Sequence, residues 1–257
     1  MCHHAAGASP YGRLTRGGGQ IVRRIGMIVV ASIVLVAGFG VGSQRAWAAA
    51  TICNGTLTGN LGAITVPAGG DCKVHDATIT GNVHVRRGGL LHMDVVTVRG
   101  SVIGSNPGFI ELGRDFSGAL GPVQITGKFI DTGDQVGVVL CQTTVGGAVV
   151  VTKGAAPWIG DPEGDDISGP VCVGNTFHGS LSVINTNSPA INAVIEHNQI
   201  NGRVIINGNT AQNVIVDGNT IGGSLSCSGN TPAPTDLDGA APDPNTAASK
   251  AGQCSAL

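Results

Sequence analysis

The sequence predicts an all-β chain, a right-handed parallel β-helix solenoid of about eight coils with one loop insertion and a mobile C-terminal tail. Three observations predict it. Glycine is abundant, at 42 of 257 residues, while 12% of residues are charged and 3% aromatic, which disfavours long amphipathic helices. Short alternating runs return along the chain: "TITGNVHV" from 78, "TVRGSVIG" from 97, "QINGRVII" from 199 and "TIGGSLSC" from 220. Dense Val, Ile and Leu between the glycines supply buried area to offset chain entropy, which separates this composition from disorder.

Residues 1–48 read as an export signal. Arg13, Arg16, Arg23 and Arg24 precede an apolar run over 25–42, and Ala46-Trp47-Ala48 supplies a small-residue cleavage site. A retained anchor is the alternative, since such a run sits at the lower edge of what spans a bilayer. The β-helix is expected over 49–230 and a Pro/Ala/Asp-rich tail over 231–257, ending near a terminal cysteine. Removing the leader, whose five charges are all Arg, leaves 9 basic against 16 acidic residues, a net of −7. That balance argues against a nucleic-acid or anionic-membrane partner, leaving membrane contact only through an uncleaved leader.

Eight glycines, each followed by a small or polar residue and then a strand-like alternation, align at Gly59, Gly81, Gly100, Gly121, Gly147, Gly179, Gly202 and Gly223. Two further short alternating pieces fall between successive glycines, and three strands per repeat is the signature of a solenoid coil. A left-handed hexapeptide helix needs a strict six-residue period, which is missing, and parallel crossovers are right-handed almost always. Asn175, Asn198 and Asn219 each stand four places before their glycine, which suits a corner ladder.

After leader removal six cysteines remain: Cys53, Cys72, Cys141, Cys172, Cys227 and Cys254. An even count in an exported chain points to disulfides, although six cysteines allow 15 pairings. Neighbours in sequence are favoured, because each such pair closes one coil, one insertion or one tail. Zinc is disfavoured by the lack of a C-x-x-C pair.

With the repeat registered, the chain resembles the right-handed parallel β-helices of the pectin-lyase-like superfamily. It is similar in particular to small exported actinobacterial β-helix proteins that share the closing "NTIGGSLSCSGN…AGQC" element, here at 219–254. The resemblance implies the fold, and leaves function open among lyases, hydrolases, adhesins and scaffolds.

Candidate chemistry begins with an acidic column six places before the glycine: Asp94, Asp115, Glu196 and Asp217, with His75 in the first coil. Carboxylates on adjacent coils stand about 5 Å apart, the separation a retaining glycosidase uses, so Glu196 and Asp217 are the catalytic candidates. Against this, Asp is a common turn residue, and after the leader the aromatics are only Trp158, Phe109, Phe116, Phe129 and Phe177, few for a glycan cleft. Arg203 stands near the Glu196 segment, yet no other part of a pectate-lyase pattern accompanies it. His178 and His197 fall in different columns without an obvious carboxylate.

The stretch "KGAAPWIGDPEGDDISGP" reads as a loop leaving the stack. Within it Asp161, Glu163, Asp165 and Asp166 are a possible calcium site lacking EF-hand spacing, and Trp158 is a candidate partner anchor. The reading from sequence is a secreted or cell-envelope, non-catalytic rod with no required cofactor, its partner a cell-surface glycan or protein. The alternative is a polysaccharide hydrolase or lyase working along one face.

Overall fold

A computed structural model describes residues 50–114, 121–160, 172–236 and 243–257. Ala46–Leu257 form one compact unit. The described residues contain strands and no helix, joined in parallel pairs into a β-solenoid of about eight turns. Each turn contributes to three strand ladders, here called faces 1 to 3.

Face 1 stacks Val83–Val85, Val102–Ser105, Phe129–Thr132, Val149–Thr152, Leu181–Ile184 and Val204–Asn207 in unbroken register. The period-two alternation of the sequence explains it, because successive side chains of a strand point to opposite sides. Val83, Val102, Phe129, Val149, Leu181 and Val204 point inward and are fully buried. Burial of such side chains contributes about 1.5–3 kcal/mol each, which a glycine-rich chain needs to offset its entropy. Face 2 holds Val123–Ile125, Thr143–Val145, Thr176–Phe177 and Gln199–Ile200. Face 3 holds Phe109–Leu112, Gly137–Leu140, Trp158–Ile159, Ala193–Glu196 and Val214–Asp217. The long strands Asp71–Ile79 and Leu90–Val98 serve both faces, bending at Asp76 and Val95, whose φ values are 45° and 53°.

The repeat glycines stack where face 2 turns into face 1. A Cβ on Gly202 would lie 2.7 Å from the Gly179 carbonyl oxygen, and one on Gly179 only 2.5 Å from that of Gly147, so backbones there approach too closely for a side chain. Two of the eight alignments are corrected. The rung partner of Gly81 is Ala63 rather than Gly59, and the fourth rung belongs to Gly127, whose N–H donates to Gly100 O (2.9 Å). "GPVQI" imitates the repeat because it too is a strand, but Val123–Ile125 runs on face 2.

The Asn column is present and longer than the sequence indicates. Asn175 and Asn198 each donate through Nδ2 to the Oδ1 of the next Asn (2.9 and 3.0 Å), Asn219 continues to Asn245 (2.8 Å), and all four are buried. A second ladder at another corner links Thr186, Asn209, Asn230 and Gln253.

The disulfides join neighbours: Cys53–Cys72, Cys141–Cys172 and Cys227–Cys254, with Cα separations of 5.4, 5.2 and 5.2 Å. Three disulfides are compatible with an extracellular location. The structure narrows two expectations. Thr246–Gly252 is not a mobile tail but a strand paired with Thr220–Ser228, which Cys227–Cys254 ties to the stack. Trp158–Ile159 likewise belongs to face 3, so the stack continues into what composition reads as a loop. The leader lies outside the described residues.

Candidate functional site

Glu196 and Asp217 are direct rung partners on face 3, as the spacing predicts. Each is only 1% exposed. Their burial follows from the chain that covers the C-terminal end of face 3: Thr235 pairs across from Ile215, and Asp243 N–H donates to Asp217 Oδ2 (3.4 Å). Asp217 Oδ1 also accepts from Gly218 N–H (2.9 Å), so this carboxylate is occupied in holding backbone. His197, at the same bend, reaches Asp243 Oδ2 through Nε2 (3.1 Å), a carboxylate partner that sequence reading did not find.

The N-terminal half of the column is resolved differently. Met93 pairs with Leu112, and Gly113 N–H donates to Met93 O, so the chain beside Asp94 is Gly113. Asp94 instead bonds His75, which also contacts Asp76 through Nε2 (2.9 Å). Asp115 itself, and the calcium candidates Asp161, Glu163, Asp165 and Asp166, lie outside the described residues. Among the described residues no group of three His, Cys, Asp or Glu is placed to hold a metal. Arg203 is exposed beside face 1, on a different ladder from Glu196.

A polar cluster that sequence reading missed sits on the outer side of face 3. His92 and Glu111 are adjacent rungs, joined Nδ1 to Oε2 at 2.9 Å, with Arg114 Nε 3.9 Å from the other Glu111 oxygen. Phe109 lies against His92 with ring centroids 5.8 Å apart, and farther along the same rank Val139 and Trp158 pack on Cys141–Cys172. Trp158 is half-buried in this apolar patch rather than free on a loop. His92 and Glu111 are nearly sealed, at 4% and 8% exposure, so this cluster fastens neighbouring coils.

A third pair is more unusual. Asp131 occupies an inward position of face 1, fully buried, between Gly104 on one rung and Val151 on the other. A Cβ at Gly104 would come within 2.4 Å of Asp131 Oδ1, so glycine there makes room for the carboxyl group. Asp134, also buried, stands beside it and accepts from Ala155 N–H (3.0 Å). Neither Asp131 oxygen has a hydrogen-bond partner among the described residues. Burial, then the neighbouring Asp134 carboxyl, pushes the Asp131 acid up to about 9, and burial raises Asp134 too. Asp131 is therefore a neutral acid in the core at pH 7. The signal was present in "FIDT", where an acid stands at an alternation position otherwise filled by apolar residues.

An open cavity of about 560 Å³ lies elsewhere, on face 1, lined by Thr65, His84, Arg86, Arg87, Ile103 and Ser105 among others. No family model, curated protein or solved structure matches the chain.

Proposed function

We propose that the chain is a secreted, non-catalytic β-helix rod of the pectin-lyase-like type, freed by cleavage of its leader, that recognises a surface through its faces. The observation that carries this reading is the sealing of Glu196 and Asp217. Stacked carboxylates hydrolyse a glycosidic bond only if the sugar reaches both, and a water must reach one of them. Here both carboxylates are buried, and that of Asp217 is spent on the bend between faces 3 and 2. The acidic stretch over 161–166 supports a calcium-dependent contact as a second means of recognition, with oxygen ligands suited to that ion.

The test is a glycan array with the secreted chain, in calcium and in chelator, followed by product analysis on every glycan retained. Retention without cleavage is expected, with Glu196→Gln and Asp217→Asn changing retention less than about twofold. Cleavage that disappears in either variant would make the chain a polysaccharide hydrolase or lyase and end this reading.

A further inference from the structure

Although the chain without its leader is acidic, its charges are sorted by face. Of its nine basic residues, Arg86, Arg87, Arg99, Lys128, Lys153 and Arg203 stand on face 1 or on the turns that border it, and all six are exposed. No carboxylate among the described residues lies within ion-pair distance of any of them. Among the described residues the acids on face 1 and its bordering turns are Asp131 and Asp134, both buried, the first neutral. Exposed carboxylates such as Asp76 and Asp243 belong to the side of faces 2 and 3. The cations occupy both edges of face 1, with Arg99, Lys128 and Arg203 where its strands begin and Arg86, Arg87 and Lys153 where they end.

Between these edges runs one straight outward rank. His84, Ile103, Ile130, Val150, Ser182 and Ile205 are successive rung partners, about 4.8 Å apart. The Ile and Val members are half-buried, too short to penetrate a bilayer core but apolar enough to lie against headgroups and glycerol. The 560 Å³ cavity opens at the N-terminal end of this rank, where His84, Arg86, Arg87 and Ser105 give donors for an anionic group.

We propose that face 1 docks the rod, lying flat, on an anionic phospholipid surface, with headgroup phosphates seated along its two basic edges and in the Arg86–Arg87 cavity. It rests on the reading of the chain as an exported binding rod. A plane of lipid meets only face 1, whereas a long soluble polyanion would also meet the acidic remainder of a chain of net −7. Nucleic acid is further disfavoured because the outward rank offers no aromatic platform for a base.

The experiment is co-flotation of residues 49–257 with vesicles of phosphatidylcholine alone or with about 30% phosphatidylglycerol. Binding is expected only to the anionic vesicles and is lost as salt rises from about 0.05 to about 0.5 M. Each face 1 cation contributes about fivefold, so Arg86→Gln, Arg87→Gln, Lys128→Gln and Arg203→Gln combined lower the partition coefficient at least 100-fold. Asp76→Asn with Asp243→Asn, on the other side, does not weaken binding, and far-ultraviolet circular dichroism verifies the fold of every variant. Absence of binding to anionic vesicles, or equal binding by the fourfold variant, overturns the proposal. So does tighter binding to inorganic polyphosphate or duplex DNA than to vesicles. Glycan cleavage would end the rod reading and leave these results unmoved, so the two failures are distinguishable.

Discussion

Replacing Asn198 with alanine is expected to destabilise the protein by about 3–5 kcal/mol. Asn198 Nδ2 donates to Ile159 O (2.8 Å) and Asn219 Oδ1 (3.0 Å), and its own Oδ1 accepts from Asn175 N (3.1 Å) and Nδ2 (2.9 Å). Truncation leaves these partners buried and unsatisfied, and each such group costs about 1–3 kcal/mol. The ladder neighbours are 1–2% exposed, so water does not replace the lost bonds. Gln199→Ala, one residue away on the exposed side of face 2, is the control and should change stability by less than about 0.5 kcal/mol. Urea unfolding of the two variants decides the matter, since equal midpoints would mean that the ladder is ornamental.

Asp131→Asn is expected to act in the opposite direction. The folded protein holds a proton on Asp131 up to about pH 9, whereas the unfolded chain releases it near 3.8. Between those values the native state binds more protons, so stability is greatest in acid and falls as pH rises, levelling above about 9. The slope approaches about 1.4 kcal/mol per pH unit for a single fully shifted group. Asparagine has nearly the same shape and needs no proton. The variant should match the parent near pH 3.5 and exceed it by a few kcal/mol, to order of magnitude, at pH 7.5. Thermal unfolding across that range measures it. Parallel profiles for parent and variant would show that Asp131 does not carry the titration.

Much of the architecture was legible in sequence because the physics that builds a coil repeats. The alternation around Gly81, Gly202 and Gly223 survives in the structure, as does the Asn column, because both are imposed again at every rung. Gly59 and Gly121 misled for a related reason: any strand preceded by glycine looks like a repeat, and only rung contacts reveal that Gly127 takes the place. The candidate site was less legible. Spacing placed Glu196 against Asp217 correctly, yet their burial depends on residues that return from the end of the chain, which no local pattern encodes. The basic edge of face 1 was hidden by bulk charge, since a net of −7 averages over faces that the fold separates. His92 and Glu111, 19 residues apart, become neighbours only once the coil length is known.

The two Asn ladders do not run the length of the molecule. At the corner where Asn175, Asn198, Asn219 and Asn245 stand, the N-terminal turns carry Ala77, Val96 and Val123 instead, followed by Thr143 as the junction. The protein is thus a block copolymer in one dimension, with a greasy seam in its first half and a hydrogen-bonded one in its second. In a stack where each repeat feels mainly its neighbours, such a change of seam divides cooperativity. Apolar seams weaken on cooling while hydrogen-bonded ones do not share that dependence, so the two halves respond to temperature on different curves. Unzipping in the cold is therefore expected to start from the N-terminal end and to meet its barrier at Thr143, which amide hydrogen exchange on cooling would read turn by turn.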